Sequence, residues 1–227
     1  MVVVNNSWEI AGWRNQPLNG CVKTVIERPY YAGLYGKVWI RGLPKSGEAV
    51  VHRSYNLQGQ HIESRFYSHT GELLSVSVNE FSDKGEVVGK KTYDNEGGLV
   101  EQFRLSKYSR TFQGMEIACF DGYGNSCGFI KNKLGPGDLV RRTRVYDATG
   151  SLLSETVTDF DHQKNASRIL TRMKSQHAST EVSIEYQQLD AKGNWTKRLE
   201  KCKAGMHTLW ERTIIYFEQS IINRDRL

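Results

Sequence analysis

The groups that could do chemistry in this chain are a serine in a hydrolase-like setting, a set of aspartates, six histidines and four cysteines. Gly124-Asn125-Ser126-Cys127-Gly128 has the form G-x-S-x-G, which in serine hydrolases holds the nucleophile on a strained strand-to-helix turn. The residues that follow, Phe129 to Gly137, carry glycine and proline and no helical period, so the motif lacks the context that would make Ser126 a nucleophile. Asp121 with Asp161, or Asp94 with Asp147, could be imagined as acid–base pairs. Each of them opens a turn instead, where a carboxylate accepts a nearby backbone N–H. His52, His61, His69, His162, His177 and His207 are scattered, and there is no H-E-x-x-H, P-loop or dinucleotide fingerprint. Cys21, Cys119, Cys127 and Cys202 form no C-x-x-C pair and no ligand spacing with histidine, which argues against a zinc site. The pattern predicts no catalytic residue, no metal and no cofactor; the expectation is that the protein is not an enzyme.

The elements that carry these residues repeat. Tyr146-Asp147-Ala148-Thr149-Gly150-Ser151-Leu152 recurs as Tyr93-Asp94-Asn95-Glu96-Gly97-Gly98-Leu99, with looser copies around Gly59, Gly71, Gly85, Gly124 and Gly193. Phe160-Asp161-His162-Gln163-Lys164 is a copy that lacks its glycine. The spacing is about 13 residues, too short for a strand plus a helix and right for a strand plus a tight turn. Aspartate suits the first position of a type I turn, and the glycine takes the left-handed position of a three-residue hairpin loop with a bulge. That geometry places Tyr146 opposite Leu152, Tyr93 opposite Leu99, Tyr67 opposite Leu73, Phe81 opposite Val87, and His61 opposite Tyr55. Such aromatic–aliphatic pairs contribute roughly 0.2–1 kcal/mol each over alanine. The same count places Cys119 directly opposite Cys127, roughly 4.5–5.5 Å apart at Cα, so the two are either a disulfide or two reduced thiols.

Strands of about eight residues follow from this period, with apolar residues near the turns and polar ones in the middle, as in Leu152, Ser154, Thr156, Thr158 and Phe160. The predicted fold is all-β: an antiparallel meander of hairpin repeats forming a large twisted or coiled sheet. Asn165 to Lys174 could also form a short helix, but the phase of the repeat argues for a strand. One continuous domain is expected, with an irregular N-terminal cap over 1–35, a repeat region over 36–217 and a tail over 218–227.

The net charge is +6. Arg141, Arg142 and Arg144 form one basic group, and Lys197 and Arg198 belong to another. They are read either as a surface for an acidic partner or as solvated strand faces. Trp195, in a slot held by leucine elsewhere, either anchors a partner or fills its slot as leucine does. No segment approaches the roughly 18 apolar residues of a membrane helix, and Met-Val-Val-Val-Asn-Asn is not a signal peptide as it stands. The chain is expected in the cytoplasm, or in the periplasm or at the cell surface if a signal has been removed.

The copies at Tyr146-Asp147-x-x-Gly150-x-Leu152 and Tyr93-Asp94-x-x-Gly97-x-Leu99 resemble the YD repeats of bacterial Rhs-type proteins. The run Asp190-Ala191-Lys192-Gly193-Asn194-Trp195 resembles YD-type units of smaller bacterial surface proteins, and the pattern is also similar to MORN-like repeats. The resemblance covers roughly Gly36 to Phe217. It implies a bacterial, non-enzymatic β-repeat protein, although half the copies lack Asp or Gly and the chain is too short to form a toxin-enclosing shell. The expected function is binding of a partner protein, most specifically as an immunity or antitoxin-like protein that neutralises an acidic toxin. An envelope-associated carbohydrate-binding module is the alternative, and nucleic acid is the least favoured partner.

Overall fold

The turns show how the sequence builds this fold. In those opened by Asn56, Ser68, Ser82, Asp94, Asp121, Asp147, Asp161 and Asp190, the first residue's N–H donates to the carbonyl four residues on. Its own carbonyl accepts from the N–H three residues on. The side chain at the first position completes the loop: Asp147 Oδ1 accepts the N–H of Thr149 and of Ser151, each at 2.9 Å. Asp94, Asp121, Asp161 and Asp190 repeat this arrangement. The fourth position is left-handed: Gly150 has φ 84°, and Lys164 adopts φ 67° where the copy has lost its glycine.

A computed structural model describes residues 18–109, 114–174, 178–203 and 205–218. Their strands are β1 (Val22–Tyr35), β2 (Val38–Pro44), β3 (Val50–Tyr55), β4 (His61–Tyr67), β5 (Leu73–Phe81), β6 (Val87–Asp94), β7 (Leu99–Ser109) and β8 (Gly114–Asp121). The series continues with β9 (Ser126–Leu134), β10 (Val140–Asp147), β11 (Leu152–Phe160), β12 (Ala166–Met173), β13 (Ala178–Leu189), β14 (Trp195–Cys202) and β15 (Thr208–Tyr216). From β3 to β15 each strand pairs antiparallel with the next. The stretch that could have been a helix is strand β12, in phase with the repeat.

The sheet does not end at β15. β15 pairs antiparallel with β1, from Val22 opposite Tyr216 to Tyr31 opposite Thr208, and the other edge of β1 pairs with β3. The ring of β1 and β3–β15 is therefore a closed 14-strand antiparallel barrel, and the expected open or coiled meander is corrected. The YD-type and MORN-like resemblance falls with it: the turn unit is real, but its copies roll into one closed ring. The Rhs-like, toxin-linked and immunity-protein reading rested on that resemblance and is not retained. The irregular cap expected over 1–35 is also corrected, because residues 22–35 form β1, the strand that closes the ring. Residues 1–17 of that cap, His177 and the tail beyond 218 lie outside the described residues.

A second, unforeseen irregularity recurs beside the turns. Tyr146 faces Leu152 as expected, but Val145 faces Ser154, so Leu153 is an extra residue. Leu74, Val88, Val100 and Cys127 are skipped in the same way after Leu73, Val87, Leu99 and Ser126. Each is a β-bulge, which bends its strand and sharpens the local twist. Repeated around the sheet, that bending supplies curvature for closure. The bulge also breaks the expected alternation, since Leu152 and Ser154 are not simply two residues apart on one regular face.

The two faces of the wall differ. Inward positions hold buried apolar side chains such as Phe103, Ile117 and Ile130, and also buried Ser64, Ser77, Asn132, Thr143 and Thr156. These polar groups bond across strands: Thr143 to Asn132 at 2.9 Å, Ser77 with Thr92 at 2.9 Å, and Thr156 with Thr171 at 3.2 Å. Outward positions carry charges of both signs. Glu116, Lys131, Arg144, Glu155 and Arg172 lie side by side on successive strands from β8 to β12.

Candidate functional site

Nucleophilic chemistry has one candidate inside the wall. Ser64 Oγ lies 2.9 Å from His61 Nε2, and Asn79 Nδ2 lies 3.2 Å from His61 Nδ1. The bulge after the Asn56–Gln60 turn brings His61 to the inner face. The tautomer is wrong for a nucleophile. Asn79 Nδ2 also donates to the His61 carbonyl at 2.7 Å, so its NH2 faces the ring and Nδ1 must accept. The ring proton then sits on Nε2, which donates to the Glu63 carbonyl at 3.0 Å and cannot take a proton from Ser64. Burial, reinforced by the Arg53 charge, pushes the His61 pKa down to about 4.

The aspartates considered for acid–base work are held in their turns. Hydrogen bonds from Thr149, first its side chain and then the turn backbone, hold the Asp147 carboxyl below the usual carboxylate range, and Asn125 does the same for Asp121. Ser126 opens strand β9 opposite Phe120, and the chain runs on from it as strand to Leu134 rather than as helix. Among the described residues, no group of three or more His, Cys, Asp or Glu side chains could hold a metal.

The predicted binding residues do not form one surface. Arg142 and Arg144 share Glu155, at 3.7 and 2.8 Å, and Arg172 approaches it from the next strand at 3.7 Å. Arg141 is the bulged residue between Val140 and Arg142 and packs beside Gly135. Lys197 faces Glu211 on β15. Trp195 is 2% exposed, so it fills its slot and is not a surface anchor. Arg198 is buried too, at 7% exposure. Cys119 faces Gly128, not Cys127, because Cys127 is the bulge residue. Both thiols are free, and burial pushes the Cys119 thiol up to about 12.

What the sequence did not reveal is a buried charge cluster at the closing seam. Glu27, on β1, faces Arg212 on β15 and Val51 on β3. Its carboxylate accepts from Arg212 on one side and from Arg53 Nη1 at 2.5 Å on the other. All three side chains are nearly inaccessible to water. Burial alone would raise the Glu27 pKa; the attraction of Arg53, then of Arg212 and Arg198, overrides it and holds the carboxyl far below its ordinary value. Arg212 lies over the Trp195 ring at 3.4 Å, and Arg198 lies 4.6 Å from Trp195 and 5.2 Å from Trp210. A second clasp holds the end of the seam. Asn194 takes the N–H of Asn19 at 2.7 Å and donates to its carbonyl at 2.9 Å, and Tyr216 bonds both Asn194 and Asp190.

At the other end, β1 runs past the wall and folds back as β2. One face of this ribbon is fastened to the barrel: Trp39 meets the His207 ring edge-on at 4.9 Å, and Arg41 pairs with Glu211 at 3.0 Å. The opposite face carries Tyr35, Val38 and Ile40, with Tyr35 79% and Val38 64% exposed. Leu34 near the tip and Leu43 are also exposed. Among the described residues β2 pairs with β1 alone, so its outer edge keeps unpaired backbone groups.

No protein-family model matches the chain, and neither does the sequence of any curated protein. Among solved structures it is similar to a porin-like protein from Bacteroides uniformis ATCC 8492, at 11% identity and TM-score 0.49, over 87% of this chain and 98% of that one. It is also similar to a DUF1329 family protein from Desulfovibrio piger ATCC 29098, at 6% identity and TM-score 0.27, over 95% and 91% of the two chains. A TcdB2-TccC3-Cdc42 complex matches at 10% identity and TM-score 0.19, over 81% of this chain and 11% of that one. These likenesses are too distant to carry an argument, and the barrel rests on its own strand pairing.

Proposed function

We propose that this protein is a non-catalytic barrel with a water-facing wall, and that it binds a partner polypeptide by strand addition to β2. The observation that carries this reading is the ribbon: an edge strand with an open backbone, anchored on one face and apolar on the other. Strand addition uses main-chain hydrogen bonds for affinity and alternate side chains for specificity, and both are on offer from Val38 to Pro44. An exposed apolar edge of this kind is a liability unless it is used. The ion-paired rows support a wall facing water, because a lysine or arginine facing lipid costs about 2–4 kcal/mol at the bilayer midplane. The Ser64–His61 tautomer supports the non-catalytic part. Trp195 and Trp210 are buried and offer no exposed indole face for a sugar to stack on.

The test pairs Val38→Lys with Ile40→Lys, since charge on an edge strand blocks pairing. The double variant should melt as the wild type does and lose a protein that the wild type captures from source cells. Hydrogen exchange on the captured complex should show added protection at residues 38–44. Capture unaffected by the two lysines would refute the reading. A wild type that is dimeric in solution, with a monomeric double variant, would replace the partner by a second copy of this chain.

A further inference from the structure

We propose that Arg198 and Trp210 form an anion site within the barrel wall, seating a compact monovalent anion: a halide ion or the carboxylate of a small organic acid. The two residues are a directly opposed cross-strand pair on the inner face of β14 and β15. Arg198 donates to Glu200 Oε1 through Nη2 at 2.8 Å, but its Nε–H is buried and has no partner. The indole Nε1–H of Trp210 is buried and without a partner as well. Both residues are 7% exposed. Two unmet N–H donors thus lie within one side-chain contact, the guanidinium standing 5.2 Å from the indole ring.

Buried donors without acceptors are rare, and they point to a water or an ion between them. The surrounding field decides between the two. Arg212 lies on the same inner face two residues from Trp210, and the guanidiniums of Arg53, Arg198 and Arg212 pair with the two carboxylates of Glu27 and Glu200, so the buried cluster keeps one net positive charge. Neutral water gains little there, while an anion gains both hydrogen bonds and the field. Two donors in a tight cross-strand pair suit a small monoanion. A phosphate or sulfate dianion would need more donors than these two.

Chlorine-35 NMR on the full chain tests this, with chloride titrated into sodium sulfate at fixed ionic strength so that screening stays constant. The expected result is excess line broadening that saturates and is reversed by formate or acetate. Arg198→Met should weaken the effect at least ten-fold, Trp210→Phe several-fold, and Lys197→Met not at all. Broadening that saturates but is not displaced by carboxylates narrows the ligand to a halide ion. If Arg198→Met does not fold, Trp210→Phe, which removes the donor and keeps an aromatic ring in the wall, carries the test. Broadening that never saturates, or that is equal in wild type and Trp210→Phe, means that water fills the site and overturns the proposal.

Discussion

Replacing Glu27 by Gln should open the barrel at its seam. The substitution keeps volume and removes one negative charge, leaving Arg53 and Arg212 buried against a neutral amide. Breaking a buried ion pair from one side costs about 3–5 kcal/mol. Against a typical total stability of about 5–15 kcal/mol, that is about a fifth or more of what holds a domain folded. For a chain of this size each kcal/mol moves the melting point by about 2–4 °C, so a fall of about 6–20 °C is expected by calorimetry. The loss should also be local. Glu27 and Arg212 are 185 residues apart in sequence, whereas the neighbouring hairpins are held by their own turns. Hydrogen exchange should therefore accelerate first in β1 and β15, before β5 or β11. The pH dependence follows from the depressed pKa. Glu27's contribution is complete above its ordinary value of 4.5 and is lost as the pH falls below it, so acid should weaken the wild type more than the variant. A variant within about 1 kcal/mol of the wild type, or one whose exchange rises evenly around the ring, would refute the seam argument.

Three further outcomes are expected. His61, whose pKa is lowered from 6.5 to about 4, keeps its full contribution above pH 6.5 and loses roughly 3 kcal/mol on titration to below pH 4. His61→Gln should flatten the stability profile across that interval, and an NMR titration giving His61 an ordinary midpoint would contradict this. Lys164→Gly should raise stability by up to about 1 kcal/mol in urea unfolding, because Lys164 holds a left-handed conformation that disfavours a side chain; a loss would count against the strain. In unreduced native protein a thiol reagent should label exposed Cys21 and Cys127 before the half-buried Cys119, and all four cysteines should react after denaturation. Two missing thiols would restore the disulfide.

The turn chemistry was legible because it is local. Asp147, Gly150 and the Tyr146–Leu152 pair are specified within seven residues, and each formed as the spacing predicts. Closure was not legible, because it depends on β1 meeting β15, and β1 has no turn signal of its own. Val22–Tyr35 lacks the Tyr-Asp-x-x-Gly unit, and a segment without that unit reads as irregular chain. The seam cluster stayed hidden for the same reason. Glu27, Arg53, Arg198 and Arg212 carry no common spacing, and an arginine reads as surface until its partner is known. The bulges did leave a signal. Leu73-Leu74, Val87-Val88, Leu99-Val100 and Leu152-Leu153 each put two apolar residues in succession just after the turn, where strict alternation allows one. The second residue of each pair is the bulge. The Cys119–Cys127 pairing failed at one such bulge: a single extra residue put Gly128 opposite Cys119.

The polar strand middles gain their meaning from closure. In an open sheet, Ser77, Thr92, Asn132, Thr143 and Thr156 would face water and add little to stability. In the ring they lie on the inner face and bond hydroxyl to hydroxyl or amide across neighbouring strands. Such pairs are satisfied only when register is exact, because a shift of one residue turns each out of the wall. Charged rows outside and hydroxyl rows inside leave the buried apolar residues in patches, one beside the seam at Val22, Val25 and Tyr55 and one at Phe103, Ile117 and Ile130. They also leave the β1–β2 ribbon as the one described element whose apolar side chains and open backbone edge coincide, which is why partner binding is placed there and not on the basic strands.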